Sequence, residues 1–330
     1  MTKDQPHPSF LNLQGILRKL LPLISIGVIG NLAYSFFATD RHYLQNLTDL
    51  SPGWMLVAML LALLPWGWHC IRLKIWAKFY GHKVAWRDLL HLVVATDVGG
   101  AVTPTAVGGA PLKLLMLVQC GFRPGQATLL TLLGNAEDVL FYLLFVPFSL
   151  WLTQEWENPL WDKVGGLLQS NGWYLATALV CLLLIALIFK HFFYKNKTRT
   201  SWKAKINRTM AELREAWYLI RSKGRLAFLL SMLALVAQWG TRYLVLIAVL
   251  LALNFDSGLL QFFLLQWMVF VAILFVPTPG AVGGAEAAFM LVYGTLLPLG
   301  LAPIVMMCWR LLTYYFMLLT GAVLLGWKFR

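Results

Sequence analysis

The sequence predicts an all-α polytopic membrane protein of two inverted-topology repeats, each with three spanning helices and one re-entrant helical hairpin. Three observations lead there. Of the 330 residues, 59% are hydrophobic and 12% charged, where soluble proteins carry about 25% charged residues, and mean hydropathy is +0.69. The apolar residues fall in runs long enough to cross a bilayer, which takes about 20 residues of helix. One eight-residue motif occurs twice, at the centres of two of those runs. This composition excludes a soluble globular enzyme, a disordered chain and a small disulfide scaffold. The net charge of +13 would suggest nucleic acid in a soluble protein. In a membrane protein it asks where the charges sit.

The first apolar run, 20–38, follows Arg18 and Lys19 and is long enough to span. No A-x-A cleavage site comes after it, so it reads as a retained helix rather than a signal peptide. A second span is expected at 54–71, followed by a basic segment with Arg72, Lys74, Lys78, Lys83 and Arg87. The run 89–121 is apolar but broken by Gly99-Gly100 and by Thr103-Pro104 with Gly108-Gly109. Clean spans follow at 126–152 and 173–189, separated by a loop with Glu155, Glu157 and Asp162. The segment 190–225 holds 11 of the 27 Lys and Arg residues, and its centre, 204–220, has the pattern of a short amphipathic helix. Further spans are expected at 226–253 and 302–327. Between them 259–298 is apolar and again broken, at Pro277-Thr278-Pro279-Gly280 and Gly283-Gly284.

Lys and Arg fix orientation, because positively charged loops stay cytoplasmic. The N-terminus, the 72–87 and 190–225 loops and the C-terminus are basic. The 40–52, 153–172 and 254–258 loops hold Arg41 and Lys163 as their only Lys or Arg. One threading satisfies all of these, provided each broken segment enters and leaves on the same side. Hence two re-entrant hairpins, near 89–121 and 259–298, and both termini in the cytoplasm of a cell (inner or plasma) membrane. The alternative is a single kinked span, or a pair of tight spans, at each break.

The motif Thr103-Pro104-Thr105-Ala106-Val107-Gly108-Gly109-Ala110 matches Thr278-Pro279-Gly280-Ala281-Val282-Gly283-Gly284-Ala285 in seven of eight residues, at an offset of 175. The same offset carries Asn135 onto Arg310, and Trp66-Gly67 resembles Trp239-Gly240 after a small shift. The repeats are 1–152 and 153–330. Three crossings per half invert the second half relative to the first, and inverted repeats with broken helices are a transporter signature. The motif has a chemical reading. Pro ends the incoming half-helix and Gly-Gly permits a turn with positive φ. The outgoing half-helix, expected to start near Ala110 or Ala285, then presents free N–H groups and a positive dipole end, which favour an anion.

Asp97, Lys113, Glu137, Asp138, Arg242, Glu286 and Arg310 fall within apolar stretches. Each would cost about 2.5–3.5 kcal/mol at the centre of a lipid-facing helix, so they are expected to face inward and pair. Glu286, just past the second Gly-Gly, fits both a helix cap and a transport group. Lys113 fits phosphate binding and snorkelling to the surface. Arg310, too deep to snorkel easily, fits anion binding or pairing with Glu286. Arg72 and Arg242, each shortly after a Trp-Gly, fit interfacial anchors. The expected transport residues are Thr103, Pro104, Gly108, Gly109, Lys113, Asn135, Glu137, Asp138, Thr278, Pro279, Gly283, Gly284, Glu286 and Arg310. Cys70, Cys120, Cys181 and Cys308 form no C-x-x-C pair and no metal spacing, and His69 and His91 read as packing histidines. No catalytic residue, metal or cofactor is expected, and the chain is read as a non-enzyme.

At these residues the chain resembles the lysylphosphatidylglycerol synthase/flippase transmembrane-domain family. The resemblance rests on Thr103-Pro104 with Gly108-Gly109, and on Pro277-Thr278-Pro279-Gly280 with Gly283-Gly284, Glu286 and Arg310. It covers roughly 20–327. In the multiple peptide resistance factor branch this region is linked to moving aminoacylated phosphatidylglycerol across the bilayer, beside a cytosolic aminoacyl-transferase domain. Three residues follow Trp327 here, so the resemblance implies the translocating half alone. Other stand-alone members are associated with hopanoid or polyprenyl-linked glycan pathways. One departure is Asn135-Ala136-Glu137-Asp138, where the family often has an Arg.

The resemblance and the residues together imply a flippase-like transporter of a phosphate-containing, anionic or modified lipid or lipid-linked headgroup. The implied partners are membrane lipids and a lipid-modifying enzyme, not nucleic acid; the sequence leaves the oligomeric state open. The alternatives are an ion-coupled secondary transporter of a small solute, a membrane enzyme acting on lipid phosphates, and a non-transporting membrane partner of a lipid-modifying enzyme.

Overall fold

A computed structural model describes residues 50–103, 108–154, 200–298 and 300–327. The expected spans at 20–38 and 173–189, the acidic loop from 155 and Pro104 lie outside the described residues. Those residues are helical throughout their regular elements, with no strand among them. We number the helices α1 (Pro52–Phe79), α2 (Trp86–Ala101), α3 (Gly109–Gln119), α4 (Pro124–Thr153), α5 (Thr200–Lys223), α6 (Arg225–Ala252), α7 (Leu259–Leu274), α8 (Gly284–Tyr293), α9 (Ala302–Arg310) and α10 (Met317–Trp327). A π-helical turn, Leu311–Phe316, joins α9 to α10 without a break. Among the described residues, four stretches are long and apolar enough to cross a membrane: α1, α4, α6 and the continuous run Ala302–Gly326.

The helix ends follow local chemistry. Pro52 and Pro124 sit in the first turns of α1 and α4, where a missing N–H costs nothing. The Gln126 side chain reaches back to accept from the Arg123 amide at 3.1 Å. Two boundaries differ from the sequence reading. α1 continues eight residues past 71, so Arg72, Lys74 and Lys78 are helical. Lys and Arg are good helix formers, and two of these heads find partners: Arg72 Nη1 donates to Gln238 Oε1 at 3.0 Å, and Lys74 Nζ to the Val84 carbonyl. α5 extends beyond 204–220 on both sides, since no Gly or Pro interrupts the chain from 200 to 223.

The halves repeat in helix length. α1 and α6 each have 28 residues, α2 and α7 each have 16, and α3 and α8 have 11 and 10. α1 and α6 start at 52 and 225, and α2 and α7 at 86 and 259, an offset of 173 in both cases. After the break the offset becomes 175, because the second break is two residues longer. That insertion is the small shift of Trp66-Gly67 against Trp239-Gly240. The equivalence extends to contacts: the Trp66 indole donates to Asp97 at 2.9 Å, and at the matching positions Trp239 packs edge-on against Phe270 at 5.5 Å.

The contacts divide the chain into two units, Met1–Phe122 with Gly224–Arg330, and Arg123–Lys223. In the first, α1 packs along α6, and the two run antiparallel. The Ser51 amide donates to the Ala252 carbonyl at 3.0 Å at one end, and the Trp76 indole to Ser231 Oγ at 3.1 Å near the other. α2 folds back on α3, and α7 on α8. The apolar core gathers residues of α1, α6, α7, α8 and α9 around Trp309, Phe289, Phe262 and Tyr293. Phe289 lies 5.4 Å from Trp309, and the buried Tyr293 hydroxyl donates to the Phe262 carbonyl at 2.8 Å. In the second unit α4 and α5 pack together.

Candidate functional site

The second break begins where α7 ends at Leu274. Gly280, Ala281 and Gly283 all have positive φ, at 61°, 51° and 86°. A non-glycine residue there is strained unless its surroundings hold it, and Ala281 is buried with its amide donating to the Thr278 carbonyl at 2.9 Å. Thr278 Oγ1 donates to the Val282 carbonyl at 2.9 Å, closing the turn. α8 then starts at Gly284, next to the Ala285 that the sequence motif marks.

Glu286 and Arg310 lock this turn. Glu286 Oε2 accepts from the Gly283 amide at 2.7 Å, and Oε1 accepts from Arg310 Nε at 2.9 Å. Arg310 Nη2 donates to the Gly280 carbonyl at 2.9 Å. Glu286 is thus both a cap and an ion-pair partner, and the side chains of Arg310 and Glu286 are only 5% and 12% exposed. The anion that the N-terminus of α8 favours is supplied by the protein itself.

Tyr314, absent from the sequence reading, joins this turn to the first break. Its ring lies 4.7 Å from the Arg310 guanidinium. It also packs on Gly280 so closely that a Cβ there would meet ring atoms at 2.1–2.3 Å. Its hydroxyl donates to the carbonyl of Ala101, the last residue of α2, at 3.2 Å, satisfying one of the acceptors a helix C-terminus leaves open. Tyr314 and Tyr315 both fall in the π turn, one turn after Arg310. The Tyr315 hydroxyl is buried with no hydrogen-bond partner among the described residues, and it lies in the field of Arg310 and Glu286. Two adjacent tyrosines one turn past a deep arginine were the signal available in the sequence.

The first break is built differently. Thr103 Oγ1 donates to the Gly99 carbonyl at 2.8 Å and accepts from the Gly108 amide at 2.9 Å, pinning the end of α2 to the start of α3. The approach needs glycine: a Cβ on Gly108 would lie 2.8 Å from the Gly99 carbonyl oxygen. At the offset of 175, Pro111 stands where the second half has Glu286, and α3 has no acid in its first turn.

A second polar cluster lies in the same unit. Lys113 and Arg72 are both buried within the protein. Arg72 meets Gln238, and Arg242, one turn beyond Gln238, lies 5.1 Å from the Trp239 ring. His69, half-buried on α1, stands in the field of Lys113, Arg72 and Arg242. The sequence carries no signal for this neighbourhood, because Lys113 is 44 residues from His69 and Arg242 is 173 away. Thr278, Pro279, Gly283, Gly284, Glu286 and Arg310 fall together at one break, and Thr103, Gly108 and Gly109 at the other. Asn135, Glu137 and Asp138 lie on α4 in the second unit, where Asn135 is exposed, Glu137 buried and Asp138 half-buried. No group of three metal-ligating side chains occurs among the described residues.

Apolar spans with two broken, charge-bearing helix pairs define a polytopic helical membrane protein. A family model described as "Lysylphosphatidylglycerol synthase TM region" matches residues 23–321. The chain is also 22% identical over 293 residues to a "UPF0104 membrane protein" of Archaeoglobus fulgidus, covering 82% of this chain and 86% of that one. The protein belongs to the family of the lysylphosphatidylglycerol synthase transmembrane region.

Proposed function

We propose that this protein is a lipid transporter of flippase type that carries a phosphate-containing headgroup, anionic or aminoacyl-modified, between leaflets. The observation that carries this reading is Tyr314. It ties the end of α2 to the turn at Gly280 beside Arg310, so both broken helix pairs converge on one place. Non-helical backbone at membrane depth is tolerated only where protein or a polar cavity shelters it. Two such breaks at one locus fit a substrate path.

The antiparallel course of α1 and α6, corresponding helices of equal length, supports two inverted repeats with re-entrant hairpins 89–121 and 259–298. The breaks divide the labour. At the second, Glu286 already occupies the start of α8 and neutralises Arg310. At the first, α3 begins without an acid, and Lys113 lies one turn in. The headgroup phosphate therefore sits at Gly108-Gly109, with Arg310 holding the opposite turn in shape and the Tyr315 hydroxyl offering a further donor. In this reading the protein is not an enzyme. It resides in the inner or plasma membrane with cytoplasmic termini, and a lipid-modifying enzyme supplies its substrate.

The test is reconstitution into liposomes carrying fluorescent phosphatidylglycerol or its lysyl derivative in one leaflet. Lys113→Gln is expected to slow exchange between leaflets at least tenfold while membrane insertion and thermal stability stay unchanged. Full exchange by this variant overturns the placement of the headgroup. Absence of exchange by the wild type with either lipid overturns the transport reading.

A further inference from the structure

α5 belongs to the second unit, and its faces are sharply divided. Thr209, Leu213, Ala216 and Ile220, spaced four, three and four apart, form one stripe, and Ala216 and Ile220 are buried. This side meets the first turn of α4. A Cβ on Gly125 would lie 2.4 Å from Glu212 Cβ and 2.6 Å from the Leu213 amide nitrogen, so the helices touch with nothing between them. Both acids of α5 are engaged here. Glu212 accepts from the Gly125 amide at 3.1 Å and from Arg208 Nε at 3.2 Å, and Glu215 pairs with Arg123 at 3.5 Å.

The adjoining stripe is Met210, Arg214, Trp217 and Arg221, with Tyr218 beside it. Met210, Trp217 and Tyr218 are 54%, 51% and 71% exposed. Arg214, Arg221 and Lys223 are exposed and have no acidic partner among the described residues. The acids of α5 thus face α4, while its unpaired cations and two aromatic rings face outward.

α4 tells where this face lies. It is a 30-residue apolar helix able to cross a membrane, and α5 is docked on its first turn. The end of a span is the water–lipid boundary. There Trp and Tyr place an apolar body and a polar tip, and Arg and Lys lay their stems on apolar surface with the charge in water. A helix with this composition lies in the plane of the interface.

We propose that α5 is an interfacial helix that binds the anionic surface of the bilayer, with Trp217 and Tyr218 at headgroup depth and Arg214, Arg221 and Lys223 on lipid phosphates. It stands independently of any transport. Each cation near such a surface strengthens attachment about fivefold, an effect that salt screens.

The experiment uses the full chain with its native cysteines replaced by alanine and a nitroxide at Trp217→Cys or Tyr218→Cys. It is placed in nanodiscs of phosphatidylcholine alone or mixed with phosphatidylglycerol. Accessibility to oxygen, which concentrates in lipid, is compared with accessibility to a water-soluble nickel chelate. In the mixed bilayer both labels are expected to gain oxygen accessibility and lose nickel accessibility. High salt, or Arg214, Arg221 and Lys223 together changed to Gln, is expected to reverse this without shifting the melting temperature. Equal readings in the two bilayers overturn the proposal, and so does protection from both reagents, which would mean that protein covers this face.

Discussion

Arg310 and Glu286 are charged residues buried in apolar helices, and their geometry explains how they are tolerated. The carboxylate divides its oxygens between a helix-end amide and the guanidinium, and the guanidinium spends a second nitrogen on the Gly280 carbonyl. Together these contacts tie the break residues Gly280 and Gly283 to α8 and α9. Removing one partner leaves a buried charge alone, at a cost of about 3–5 kcal/mol, whereas replacing both with apolar groups of similar size is often neutral. Arg310→Met and Glu286→Leu are therefore each expected to lower the melting temperature in detergent strongly, and the double variant to recover most of the loss. A double variant as unstable as the worse single one would mean that the backbone contacts, not the mutual charge, hold the turn.

At the scale of elements, the breaks are two solutions to one problem. A chain that leaves the helix among apolar surroundings must satisfy the carbonyls it exposes. The second break uses an ion pair and the first a threonine. Thr103→Val keeps the shape but strands the Gly108 amide. It is expected to cost about 1–3 kcal/mol and to raise hydrogen exchange at the amides from Gly108 to Leu112, with Thr103→Ser retaining protection. Unchanged exchange in Thr103→Val would show that the hydroxyl is not what closes the turn. Much of this was legible in the sequence. The motif located both breaks and the starts of α3 and α8 to within a residue, because Pro and Gly act locally. Pairing of Arg310 with Glu286 was also legible, since few charges lie in apolar runs and each needs an opposite. What the sequence hid was non-local. Tyr314 reads as one more aromatic residue in a span until the π turn sets it against Gly280 and Ala101. The partner of Arg72, Gln238, is 166 residues away and has no signal in the sequence.

For the molecule as a whole, the charges and the antiparallel pair α1–α6 favour one orientation, which is open to test. The end of α1 and the start of α6 lie together, as the Trp76–Ser231 bond requires, and Lys78, Lys83, Arg87 and Arg225 cluster along the chain there. The opposite end, fixed by the bond from Ser51 to Ala252, has Asp256 as the nearest charge in its loop and no Lys or Arg from 243 to 309. Positive charge is retained in the cytoplasm, so we propose that the basic end faces in. Lys83 and Asp256 are both exposed, and single cysteines at these positions report the two ends separately. Asp256→Cys is expected to react with a membrane-impermeant maleimide in intact spheroplasts, and Lys83→Cys only after lysis. The reverse pattern would mean that the basic end faces out against the charge rule. Reaction of both in intact spheroplasts would mean that α1 and α6 do not separate the two compartments, which would remove the membrane-spanning frame on which a path between leaflets depends.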